Sequence, residues 1–218
     1  VLADDRIRGI EDEIRGADRV IDAHGRYVLP GFLDIHSDRI EQFILPRPTA
    51  RFDFELALKE CERELLHQGI TTIFHSFSLY KDEKFGKALR TLQSVREMAA
   101  LIRDIHDRYH LIHHRFHLRL EIDNLDAYDI AVDMIERGLI HEISFMDHRP
   151  EGQYKDLAIY RTALAKYNGM AEEEYDFEGF LEREKNKEML SFAQLRDLAR
   201  LAHSRGIAVA SHDDDTRE

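Results

Sequence analysis

Four segments of the chain end an apolar run in side chains that could do chemistry: residues 35–38 (Ile-His-Ser-Asp), 117–121 (His-Leu-Arg-Leu-Glu), 145–148 (Phe-Met-Asp-His) and 210–213 (Ala-Ser-His-Asp). On an extended strand, residues two apart point to one face. His36 and Asp38 can therefore share a cation, and His117, Arg119 and Glu121 form a polar row backed by Phe116, Leu118 and Leu120. Neutral imidazoles at 148 and 212, each beside an aspartate that can orient it, are suitable donors to a divalent metal. Glu121 can bridge metals, and Arg119 can meet a phosphoryl oxygen through two N–H groups. Plainer readings stay open: a turn-forming Asp38 beside a surface histidine, and a buried Arg119–Glu121 ion pair. His106, His110, His113 and His114 fall near a predicted helix end, where exposure and the helix dipole explain them. Of these only His114 is kept, as a phosphate contact.

The elements that must position these groups follow from periodicity. Residues 54–67 read as a helix stopped by Gly69 before the β-branched run 70–74. Residues 84–109 read as one long helix or two, before a strand over 116–122. Residues 124–138 form a short helix ending at Gly138, ahead of a strand over 143–146. The charged stretch 154–190 reads as a solvated helical excursion. Ser191 caps a helix reaching residue 205, and Gly206 leads into a strand over 207–211. Residues 19–28 alternate around His24-Gly25 and read as a short hairpin. Strands alternating with helices imply a parallel sheet, either a barrel or an open doubly wound sheet, with ligands at the strand C-termini.

Composition narrows the chemistry. With 31 basic and 43 acidic residues among 218, the net charge of −12 disfavours nucleic-acid binding through phosphate neutralisation. A single cysteine, Cys61, forms no internal disulfide, and no apolar run is long enough for a bilayer, which predicts a cytoplasmic protein without membrane contact. The sequence contains no G-x-S-x-G, P-loop, G-x-G-x-x-G or C-x-x-C motif, which leaves metal-assisted hydrolysis.

Residues 29–36, Leu-Pro-Gly-Phe-Leu-Asp-Ile-His, resemble the first barrel strand of the amidohydrolase superfamily, with Asp38 where a second histidine is usual. Together with Pro46-Arg47-Pro48, residues 114–121, residues 145–153 and residues 210–216, the chain resembles the PhnM family of the carbon-phosphorus lyase pathway. The resemblance implies an α/β fold, a (β/α)8 TIM-type barrel incomplete here at about six βα units. It places residues 1–28 in a small N-terminal β-sandwich and 29–218 in the barrel. It also implies a hydrolase releasing pyrophosphate from α-D-ribose 1-methylphosphonate 5-triphosphate. A divalent metal site, binuclear zinc or manganese, would be held by His36, Asp38, Glu121, His148 and His212. Arg47, Arg119 and Arg149 would grip the polyphosphate, and the family's general-base aspartate would lie beyond Glu218. A homodimer is compatible with this reading. Two alternatives are an amidohydrolase acting on a cyclic amide and a non-catalytic subunit of the phosphonate assembly.

Overall fold

The computed structural model describes residues 1–3, 6–13, 16–47, 49–80, 89–106, 108, 110–148, 156–167 and 169–211. It contains two compact units, Val1–Pro30 and Gly31–Glu218. In the first, β1 (Leu2–Ala3) pairs antiparallel with β2 (Arg6–Ile7). His24-Gly25 does form a turn, closed by Arg26 N–H donating to the Ala23 carbonyl at 2.9 Å. The expected hairpin around it is absent, because residues 19–22 and 26–30 pair with nothing as strands and Val20, Ile21 and Val28 stay exposed.

The second unit runs β3 (Phe32–Ser37), α1 (Arg39–Ile44), α2 (Phe54–His67), β4 (Ile70–Leu79), α3 (Leu92–Ile105), β5 (His113–Glu121), α4 (Ala127–Glu136) and β6 (Glu142–Met146). It continues with α5 (Leu157–Tyr167), α6 (Phe177–Lys185), α7 (Phe192–Ser204) and β7 (Ala208–Ser211). Helix starts follow their caps. The Asp53 carboxylate accepts from Leu56 N–H at 3.0 Å, and Ser191 and Gln194 form a reciprocal capping box. Gly69 (φ +81°) and Gly138 (φ +64°) take the left-handed conformation that turns α2 and α4 towards the next strand.

The five strands β3 to β7 are parallel and lie in sequence order, curled as half of a barrel. A doubly wound sheet would reverse its order at a switch point, so this order is consistent with a partial TIM-type barrel. The sheet has five strands among the described residues, against the expected six or so βα units. The core lies between the sheet and its helices. Ile73, Phe77, Phe116, Leu118 and Leu120 pack against Leu58, Cys61, Met98 and Ile102, all at most 1% exposed, with Phe77 and Phe116 stacked at 5.7 Å. Among the described residues, no helix is long and apolar enough to cross a membrane.

Candidate functional site

The opposite face of the sheet is polar. Register places Ser76 beside His117 and Ser78 beside Arg119 across β4 and β5, then Glu142 beside His117 and Ser144 beside Arg119 across β5 and β6. Alternation thus aligns two serines from β4, the row His117-Arg119-Glu121 from β5, and Glu142 and Ser144 from β6.

His117 is 1% exposed and sits between two hydroxyls, Ser76 Oγ at 3.2 Å from Nδ1 and Ser144 Oγ at 2.8 Å from Nε2. Burial pushes its pKa down to about 3, helped by His36 and Arg119, so it is a neutral ring at pH 7. His36 meets it edge-on, with ring centroids 5.1 Å apart. Glu142, nearby, has its pKa raised by burial.

Arg119 does not pair with Glu121, the partner the sequence offers on its own strand. Its Nη1 donates to both Asp38 oxygens, at 3.2 and 3.1 Å, across 81 residues of chain. A second guanidinium joins it. Arg90, 5% exposed, donates to Asp38 Oδ2 (3.3 Å), to Ser78 Oγ (3.1 Å) and to both oxygens of Glu41 (2.9 and 3.2 Å). Asp38 is therefore clamped by two buried cations, while its own side chain remains 39% exposed.

Glu121 faces the other way, towards His148, whose Nδ1 lies 2.6 Å from Oε2. Its second oxygen, Oε1, is buried with no partner among the described residues. An orphaned buried carboxylate oxygen next to an imidazole fits a divalent cation, which would complete the oxygen's contacts.

The expected ligands thus split into an Asp38–Arg pair and a Glu121–His148 pair, with His36 against His117. Among the described residues they do not bring three donor atoms within 4.8 Å of one another. Arg47 is exposed on an isolated bridge to Ala50. His114 does not join the group. It is fully buried on the helix-facing side, with Nδ1 2.9 Å from His75 Nε2 and Nε2 3.2 Å from Glu62 Oε1, so both ring nitrogens are already engaged. His212 and Arg149 lie outside the described residues.

Sequence reasoning missed Arg90, Ser76, Ser78 and Ser144. A signal for two of them was present: the alternation Thr72, Phe74, Ser76, Ser78 continues the strand past Phe74 and points small hydroxyls at the polar face.

No family model and no solved structure matches the chain. The chain is similar to the α-D-ribose 1-methylphosphonate 5-triphosphate diphosphatase of Escherichia coli (strain K12), with 26% identity over 96% of this chain. It spans 55% of the length of that curated relative. Motif order read from the residues and an alignment over nearly all of them point to the same relative, to which the chain is similar.

Proposed function

We propose that this chain supplies the substrate-gripping and metal-binding face of a hydrolase that releases pyrophosphate from α-D-ribose 1-methylphosphonate 5-triphosphate. The observation that carries the reading is the pair of buried guanidiniums, Arg90 and Arg119, clamped on the half-open Asp38 at the strand C-termini. Two cations held in place without a flexible search are suited to oxyanions of a polyphosphate, and Arg119 Nε is buried with no partner among the described residues. Arg47 and Arg149 would extend the grip along the triphosphate.

Glu121 and His148, with His36, Asp38 and His212, would hold a divalent ion or pair, zinc or manganese. A bound ion of this kind lowers the pKa of water and neutralises phosphoryl charge. Glu121 orients His148 through their hydrogen bond and fixes which ring nitrogen faces outwards. His117, kept neutral by its surroundings, packs edge-on against His36 without adding a competing positive charge.

The test is pyrophosphate release from the ribose triphosphate by the full-length protein loaded with zinc or manganese. Arg119→Ala is expected to lower kcat/KM roughly 100-fold, and Glu121→Gln to abolish metal-dependent turnover. Wild-type turnover in Glu121→Gln, or cleavage of cyclic amides in place of the triphosphate, would reject the proposal.

A further inference from the structure

At the opposite end of the sheet, by the N-terminus of β5, lies a group of side chains that the proposed hydrolase does not use. His106 caps the C-terminus of α3, His113 opens β5, and His110 lies in the connection between them. One donor atom from each falls within 4.8 Å of the other two. The ring centroids are 5.0 Å apart for His106 and His110, 5.9 Å for His110 and His113, and 6.3 Å for His106 and His113.

We infer that His106, His110 and His113 form a transition-metal site, distinct from the strand C-termini, which takes a zinc-like divalent ion and pins the end of α3 to the start of β5. Three arguments support it. Backbone carbonyls already select the ring tautomers: His106 Nε2–H donates to the His114 carbonyl at 2.7 Å, and His110 Nδ1–H donates to the Arg108 carbonyl at 3.2 Å. Each of these two rings is left with one lone pair for a metal, the outer arrangement that metal-binding histidines use.

The geometry is also close. Tetrahedral zinc with Zn–N near 2.0–2.1 Å separates its nitrogens by about 3.4 Å, so any pair here needs to close by at most about 1.4 Å. Finally, the donor set is neutral and all-imidazole, which selects zinc, copper or nickel over calcium or magnesium. The guanidinium of Arg108, two residues before His110, is paired with both oxygens of Glu55 at 3.2 Å. With His106 and His110 half-buried and His113 exposed, the fourth position opens to water.

The inference does not rest on the hydrolase reading. The full-length protein, stripped of metal with chelator, is titrated with cobalt(II) while its visible absorption is followed, and with zinc in competition with a chromophoric chelator. Wild type is expected to bind one more equivalent than His110→Ala/His113→Ala, with the tetrahedral cobalt band absent from the variant. Zinc affinity of that equivalent should drop more than roughly 100-fold. Glu121→Gln should leave this equivalent in place, which separates it from any ion at the strand C-termini. Equal stoichiometry and affinity in wild type and variant, or no zinc uptake by wild type below millimolar concentration, would overturn the inference. If the double variant does not fold, His113→Ala alone decides, because that exposed side chain carries no core packing.

Discussion

Asp38 and Arg119 should behave asymmetrically when each is removed. Arg119 is 8% exposed at its side chain, its Nε has no partner among the described residues, and its Nη1 donates to both oxygens of Asp38. Asp38→Ala therefore strands a buried guanidinium. Breaking a fully buried pair in this way costs about 3–5 kcal/mol. Because the Asp38 side chain is 39% exposed, water reaches the vacated space, and the expected loss is about 2–3 kcal/mol. Arg90 is stranded less, since Glu41 and Ser78 still hold it. Arg119→Met leaves Asp38 with Arg90 and solvent and fills the space with an apolar chain, so it should cost about 1 kcal/mol or less. The double variant should then be less destabilised than the sum by about 1–2 kcal/mol. Urea unfolding of the full-length protein at pH 7, with metal chelated, measures all four corners. If Arg119→Met costs as much as Asp38→Ala, or the two are additive within about 0.5 kcal/mol, the clamp does not exist as described.

Stability should also depend on pH through His141, whose Nδ1 accepts from Phe116 N–H at 3.1 Å and whose pKa is pushed down to about 4, by burial and then by Arg115 and His106. A folded-state pKa below the unfolded value of about 6.5 means the unfolded chain binds the proton first, so this contribution is complete above pH 6.5 and falls by up to about 1.4 kcal/mol per pH unit down to pH 4. His141→Asn should flatten the slope between pH 6.5 and 5, and identical slopes would remove the assignment. Gly31→Ala should destabilise by about 1–3 kcal/mol, because a Cβ there collides with the Thr71 side chain, stem included. Thermal unfolding of the variant, with Thr71→Gly as the rescuing partner, checks it; an unchanged Tm would refute the clash.

What could be read from residues alone was local. Period-2 alternation placed His117, Arg119 and Glu121 on one face, and glycine-stopped helices placed the strand starts, because both depend on neighbours two to four positions away. The partners could not be read the same way. Arg119 reaches Asp38 across 81 residues and Arg90 reaches it across 52, distances that only the folded sheet closes. The β-branched run that marks β4 in the sequence covers only residues 70–74. The strand continues to Leu79 because the Ser76 and Ser78 hydroxyls face His117 and Arg90, which satisfy them in the interior. His114 was a reasonable phosphate contact beside Arg115, but it falls on the even-numbered face of β5, which packs against helices.

That even-numbered face explains why the two ends of the sheet can carry different chemistry. At the strand N-termini, Glu62 of α2 is 3% exposed, and its Oε1 accepts from the backbone N–H groups of Leu111 and Ile112 and lies 3.2 Å from His114 Nε2. His75 extends the chain of contacts from His114 into β4, with its own pKa held well below the usual histidine value by burial and by the neighbouring imidazole. A carboxylate satisfied by two backbone donors and a ring locks the connection that carries His110 to the start of β5. Among the described residues at this end, Glu62 is thus used up in holding backbone and ring, while His106 and His110 each commit one ring nitrogen to a backbone carbonyl and keep the other. At the other end Asp38, Arg119 and Glu121 keep exposed or unpartnered atoms at the strand C-termini, where a parallel barrel meets its ligands. A substitution at Glu62 should therefore act on folding and on the histidine site, whereas one at Glu121 should act on turnover.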